Sequence, residues 1–374
     1  MKIETIAVHA GREPDPSTGA LREPIHLATT FERDADGSYP RGHQYTRSSN
    51  PNRGSLERAI AALEGGVDAV AFASGSAATL AAFALAAPGG RIVCSSDCYH
   101  GTAKQLREVL PRWGISAEFV DTTDTSAVSR AMASPTTLLW VETPSNPLLR
   151  VSDLAALAGL AHDHGALLAC DNTFASPVLQ RPFEFGADLV MHSTTKCLGG
   201  HSDVLGGVLV VKSTGSMLDA LRDHQGTTGG VPSPFDCWLV LRSLATLPLR
   251  VRAQAAGAAA VAQFLAADRR VARVHYPGLP DHPGHALAAR QMRGGFGAVA
   301  SFEVPGGARE AMAVAARARL FTRATSLGGV ESLIEHRASM EGAQSRTPQN
   351  LLRLSVGLEN PADLIEDLGR ALGP

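Results

Sequence analysis

Aromatic side chains make up only 5% of this 374-residue chain, and no apolar run approaches the ~20 residues needed to cross a bilayer. An excess of one charge sign is missing too: 34 Lys and Arg face 36 Asp and Glu, for a formal net charge of −2. That balance removes the electrostatic reason to expect nucleic acid or an anionic membrane surface as a partner. The N-terminus, MKIETIAVHAGREPDPSTG, lacks the apolar core of a secretory signal, which predicts a cytoplasmic protein. Five cysteines (Cys94, Cys98, Cys170, Cys197, Cys237) form no CxxC and no pair of pairs. Five reduced thiols are expected, not a disulfide framework or a zinc site. His192, His201 and His224 are dispersed without HxxxH or HExxH spacing, so no metal centre is expected either.

What is present is a long α/β pattern. The length favours two domains. Residues 1–45 are broken by Gly11, Pro14, Pro16, Gly19, Pro24, Gly37, Pro40 and Gly42, and read as an irregular arm. Such a long loop-rich segment suggests a function, such as wrapping a partner subunit. From Ser55 the pattern turns regular. SLERAIAALEGG is a helix stopped by Gly65, DAVAFAS a strand, and SGSAATLAAFALAA a helix opened by a small-residue turn. RIVCSS, SAEFVD, TLLWVET, ALLACD, ADLVMHST and VLGGVLVV read as further strands. HGTAKQLREVLPRW and LAALAGLAHDHG read as helices between them.

This alternation predicts a mostly parallel central sheet covered on both faces. After about Leu249 an Ala-rich helix, VRAQAAGAAAVAQFLAA, leads to strands AVASFEV and LLRLSVG, a smaller C-terminal α+β domain. The division expected is an arm at 1–46, a main domain at 47–248 and a C-terminal domain at 249–374.

Ligands of such sheets bind at the carboxyl ends of the strands. VETPSNP, CDNTF and HSTTK all fall there. A lone Thr-Lys pair says nothing, but HSTTKCLGGHSD places Lys196 just past an apolar strand, with Asp171 closing the strand before it. An amine in an apolar pocket has a lowered pKa and can form an imine with an aldehyde cofactor. A buried carboxylate on a pyridine nitrogen keeps that ring an electron sink. Lys196 and Asp171 therefore point to pyridoxal 5′-phosphate. The turn SGSAAT, through Gly75 and Ser76, offers backbone donors for a phosphate at a helix start, and Ser193 and Thr195 offer hydroxyls.

Ordered blocks along the chain carry a resemblance: YTRSSNPN (45–52), SGSAAT (74–79), DCYHGT (97–102), ETPSNP (142–147), DNTF (171–174), HSTTKCLGGHSD (192–203), PSPFDCWLVLRSLATLPLR (232–250), SLGGVESL (326–333) and LLRLSVGLE (351–359). The chain resembles the cystathionine γ-synthase/γ-lyase family of transsulfuration enzymes essentially end to end. The resemblance implies fold type I architecture, that of aspartate aminotransferase relatives, assembled as a homotetramer of two active dimers. It implies Lys196 as Schiff-base lysine and proton shuttle, Asp171 as partner of the pyridine nitrogen, and Tyr99 stacked on the ring. The phosphate would be held by Gly75, Ser76, Ser193 and Thr195, with Tyr45 and Arg47 entering from the neighbouring subunit. Tyr99 or Tyr45 would act as acid or base. Arg353 would clamp the substrate α-carboxylate, a role suited to a guanidinium fork, with Ser326 and Asn146 assisting.

The chain departs from that pattern at several points. Thr325 precedes the SLGG serine, where γ-synthases and γ-lyases commonly carry Glu. His100 replaces a glycine, and Lys104 stands where an arginine often meets a distal carboxylate. HPASMTH becomes HRASMEG, and Ser76 replaces a usual Met or Leu. The arm motif and the stretch from DCYHGT to VLPRWGI are closer to γ-synthases than to lyases. The implied activity is γ-replacement on an O-activated homoserine with cysteine. The alternatives are a γ-elimination lyase acting on an unusual γ-substituted amino acid, and a catalytically silent relative serving as a binding subunit.

Overall fold

Apolar runs punctuated by glycine and polar residues become strands in a computed structural model that describes residues 1–342 and 345–373. β1 (Asp68–Phe72), β2 (Arg91–Ser95), β3 (Ser116–Val120), β4 (Leu138–Glu142), β5 (Leu167–Asp171), β6 (Leu189–His192) and β7 (Gly207–Val211) form one sheet, ordered β1-β7-β6-β5-β4-β2-β3. β7 runs antiparallel to both of its neighbours, and the other pairings are parallel. Side chains alternate between two cores. Ala71, Val93, Val141 and Cys170 enter one, while Phe72, Cys94, Trp140 and Ala169 enter the other. A sheet buried on both faces explains why these strands read as unbroken apolar runs.

A second sheet follows. β8 (Arg273–His275), β9 (Val299–Glu303), β10 (Thr322–Arg323), β11 (Leu333–His336) and β12 (Leu351–Ser355) are ordered β10-β11-β12-β9-β8. Its pairings are antiparallel except β10 with β11. The Ala-rich helix, Leu247–Ala267, reaches from one sheet to the other. Arg250 Nη1 donates to the Cys197 carbonyl at 2.8 Å, and Gln254 Nε2 to the Gly329 carbonyl at 2.6 Å. One helix thereby holds both the loop after β6 and the loop before β11.

The sequence pattern needs correction in several places. Residues 1–45 are not wholly irregular: Ile3–His9 is helical, with Ile3, Ile6 and Ala7 packed on the core and Arg252 bonded to Glu4 at 2.5 Å. The helix expected from Ser55 begins at Pro51, where Asn50 caps it by accepting from the Asn52 amide, and ends at Glu64 before left-handed Gly65. The 100–113 segment is α-helical only over His100–Lys104. It widens into a π turn at Gln105–Val109 and tightens at Leu110–Trp113. The five cysteines are free and buried. Among the described residues no helix is long and apolar enough to cross a membrane.

Beneath the strand ends lies a buried polar knot. Glu64 Oε1 meets His192 Nε2 at 2.5 Å and accepts from Asn172 Nδ2 at 2.8 Å, all three residues being almost fully enclosed. It ties the ends of β5 and β6 to the helix Pro51–Glu64. Removing one partner of such a buried cluster strands the others, at a cost of about 3–5 kcal/mol. Glu64→Leu should lower the urea denaturation midpoint accordingly, and Glu64→Gln by much less. Equal midpoints for Glu64→Leu and the unaltered protein would show that the knot is not structural.

Candidate active site

The parallel order β6-β5-β4 sets three strand ends side by side. Register pairs Glu142 with Asp171, and Asp171 with Met191. Above them opens a cavity of about 180 Å³. Gly75, Ser76, Ser193, Thr195, Asp171 and Tyr99 line it. Lys196, Asn146, Thr325, Ser326 and Arg353 line it as well. These residues span nearly 280 positions of sequence, yet share one space.

Burial dominates the electrostatics. It lowers the Lys196 ammonium from 10.5 to about 8, helped by the nearby Arg353 charge. Lys196 Nζ donates to Ser326 Oγ at 2.8 Å. Ser326 has φ 92°, a left-handed conformation that costs a non-glycine residue about 1–3 kcal/mol. Arg353 holds it there by donating from Nη2 to the Ser326 carbonyl at 3.0 Å. Arg353 also donates to Asn146 Oδ1 at 3.0 Å and to Glu335 Oε2 at 2.5 Å, its cross-strand partner on β11. Ser301 on β9 steadies the Asn146 loop by donating to the Pro147 carbonyl at 2.8 Å.

Asp171 is 7% exposed, and burial pushes its carboxyl up. It accepts the Thr173 amide at 3.1 Å and has no ion-pair partner among the described residues. A buried carboxylate open to a cavity and lacking a cation fits a protonated ring nitrogen. The helix Gly75–Phe83 starts at the same cavity, where the Ser74 side chain caps by accepting from the Ala77 amide. A Cβ on Gly75 would come within 2.9 Å of Ser193, so only glycine lets the helix start lie this close to the Ser193 loop. The leading amides of that helix, beside two hydroxyls, form a donor set suited to phosphate. The residues present therefore fit pyridoxal 5′-phosphate in both its ring and its anion.

Three expected residues lie elsewhere. Tyr45, 42% exposed, and Arg47, which donates to the Gly226 carbonyl at 2.5 Å, do not line this cavity. Lys104 does not line it either. It borders an adjoining cleft and pairs with Glu108 at 3.9 Å. Its neighbour Gln105 takes the cavity position and donates to the Ser76 carbonyl at 2.8 Å, because one step along a helix turns the side chain by about 100°.

Glu142 and Arg337 are among the cavity residues that the sequence did not single out for the site. Glu142 accepts the Tyr99 amide at 2.6 Å, and burial beside Asp171 pushes its own carboxyl well up. Its place at an apolar strand end, beside Asp171 in register, was the available signal. Arg337, the residue that breaks the HPASMTH pattern, also lines the cavity.

Comparison with known proteins agrees with this geometry. Residues 4–373 match the family described as Cys/Met metabolism PLP-dependent enzyme. The chain is 48% identical to cystathionine gamma-synthase of Mycobacterium tuberculosis, over 99% of this chain and 96% of that one. It is 44% identical to cystathionine gamma-lyase of Mus musculus, over 98% and 94%. The crystal structure of metB from Corynebacterium glutamicum superposes with a TM-score of 0.97 at 42% identity, covering 100% of this chain and 98% of that one. This chain is thus an enzyme of fold type I and belongs to the PLP-dependent enzymes of Cys/Met metabolism.

Proposed function

We propose that the chain holds pyridoxal 5′-phosphate on Lys196 and catalyses γ-replacement, joining an O-activated homoserine to cysteine to give cystathionine. The observation that carries this reading is the Lys196 amine, lowered to about 8, sharing one cavity with unpaired Asp171 and with Arg353. When bound, the cofactor supplies an electron sink for charge developing on the substrate carbons.

The chain's own residues do the rest. Arg353, 3% exposed and fixed by Asn146 and Glu335, receives the α-carboxylate through the in-plane N–H groups that these contacts leave free. Once the substrate amine has displaced it, the neutral Lys196 amine takes the proton from Cα and would hand that proton to the imine carbon of the bound cofactor. Neutral again, it takes one from Cβ, which frees the γ-substituent to leave. Ser326 Oγ, 2.8 Å from Lys196 Nζ, keeps the amine aimed at those carbons between transfers. Tyr99 stacks on the ring, its backbone pinned by Glu142. The amides of Gly75 and Ser76 with the Ser193 and Thr195 hydroxyls anchor the phosphate.

Assembly as a homotetramer of active dimers accounts for the arm. Leu21 and Leu27 are 79% and 71% exposed on the single chain, and Tyr45 and Arg47 do not line its own cavity. Burying two such leucines is worth about 3–6 kcal/mol, enough to favour a partner over them. An arm at 1–46, a main domain at 47–248 and a C-terminal domain at 249–374 describe the division of labour. Elimination to an α-keto acid is the second reading, favoured by the identity to a γ-lyase and by the uncharged wall at Thr325.

Purified enzyme should show a visible absorbance band that Lys196→Ala abolishes. With an O-acyl- or O-phosphohomoserine and cysteine it should form cystathionine, followed by mass spectrometry, faster than it releases 2-oxobutyrate without cysteine. Ketoacid release predominating at saturating cysteine would overturn the replacement reading in favour of elimination. The reactive form of Lys196 is the neutral amine. Cofactor capture by the stripped protein should therefore accelerate about tenfold per pH unit below about 8 and level off above it. A rise continuing to the ordinary lysine value would contradict the lowered amine. Mixing Arg47→Ala subunits with Lys196→Ala subunits should restore activity above that of either parent, since one site in the mixed dimer is then intact. No gain on mixing, with exchange verified by mass spectrometry, would place Arg47 outside the neighbour's site.

A further inference from the structure

Arg337 opens the short helix Arg337–Glu341 directly after β11 and is 4% exposed at the cavity wall. Its Nη1 donates to Glu335 Oε2 at 3.1 Å and its Nη2 to Glu341 Oε1 at 3.1 Å. Glu341 is fixed in turn, its other oxygen accepting the Ser345 and Thr347 hydroxyls at 2.7 Å. Two carboxylates thus immobilise the guanidinium. Its Nε is enclosed and finds no acceptor among the described residues. The guanidinium thus borders the cavity with one N–H that no described residue accepts.

The surroundings indicate which acceptor. Arg337 lines the cavity while its partner Glu341 lines the adjoining cleft, so the pair forms the partition between the two, and Asn146 lines both. Lys104, Arg107, Arg150 and Arg346 border the cleft. Against them stand Glu108, Glu341 and Asp97, the last with its carboxyl pushed up by burial. The cleft lining therefore carries four cations against three acids, with Lys104 paired to Glu108 and Arg150 to Asp121. On the cavity side, Thr325 contributes no negative charge to oppose an anion.

We propose that Arg337 is a specificity-determining residue favouring amino acids whose γ-substituent ends in a carboxylate or a phosphate. This rests on the γ-chemistry proposed above. With Arg353 engaged by the α-carboxylate, a second anion farther along the substrate meets Arg337 and the cationic cleft behind it. An uncharged substituent gains nothing from these charges. Glu335 touches both guanidiniums through the same oxygen, so the two anion contacts are spaced by a single shared carboxylate.

The test compares O-succinyl-, O-phospho- and O-acetylhomoserine on the holoenzyme and on its Arg337→Met and Arg337→Lys variants. The ratio of kcat/KM for an anionic ester to that for the acetyl ester should fall at least about tenfold in Arg337→Met. The fall should lie mainly in KM, with part recovered in Arg337→Lys. The ester showing the larger fall identifies carboxylate or phosphate as the preferred group. A parallel loss on all esters, or an unchanged ratio, overturns the proposal. If the variants do not fold, the unaltered enzyme decides: KM for the anionic esters should rise with ionic strength more steeply than KM for the acetyl ester, and equal slopes overturn it. If no ester is turned over, the γ-replacement reading fails separately. Calorimetric Kd values for the succinyl and acetyl esters on the same holoenzyme then decide, equal values counting against Arg337.

Discussion

A Cβ on Gly328 would come within 2.6 Å of the Cys197 backbone nitrogen, and this near-contact between two loops is what the cavity depends on. One loop leaves the parallel sheet carrying Lys196. The other precedes β11 and carries Thr325 and Ser326. They meet because Gly328, at φ 77°, offers neither a side chain nor a conformational obstacle, and because the long helix bonds a carbonyl on each. Ser326 is left in a conformation that its own residue type disfavours, and Lys196 and Arg353 hold it there from opposite sides. The strain sits where two halves of the chain are fitted together over the reactive amine.

The same enclosure shapes the charges. Burial moves Lys196 down and Asp171 and Glu142 up, each toward its neutral form. A site in this condition is short of counter-charges and gains by taking in a ligand that brings them. On the function proposed above, a protonated ring nitrogen would serve Asp171 and a substrate carboxylate would serve Arg353, each relieving a charge that folding has already desolvated.

Much of this was legible in the sequence because the sheet announces itself. Lys196, Asp171 and Gly75 each follow an apolar run of strand length, so their position at one edge of a parallel sheet follows from periodicity alone. Arg353 was legible only through family likeness, since it lies within a strand of the second sheet and reaches the site by tertiary packing. Lys104 lies on the cleft beside the cavity and not in the cavity itself, because one step along the helix turns the side chain and gives that position to Gln105. The helix Ile3–His9 was hidden because seven residues show too few turns for a 3.6-residue period to stand out against nearby glycines and prolines. Glu335 and Arg337 carry no local signal of function. Their meaning comes from a cross-strand pairing with Arg353 and from a helix only five residues long.

The single oxygen of Glu64 that serves both His192 and Asn172 has an evolutionary consequence. Three elements far apart in sequence share one acceptor beneath the site. A change at 192 or at 172 alone leaves the other partner in a pocket shaped for a carboxylate. A change at 64 takes the acceptor from His192 and leaves Asn172 only the Gln180 carbonyl. Drift at these three positions is therefore locked together, and any lineage that alters one must pass through a less stable intermediate or replace the set. The knot is in this sense harder to alter piecemeal than the cavity wall at Thr325, whose side chain makes no such shared contact among the described residues.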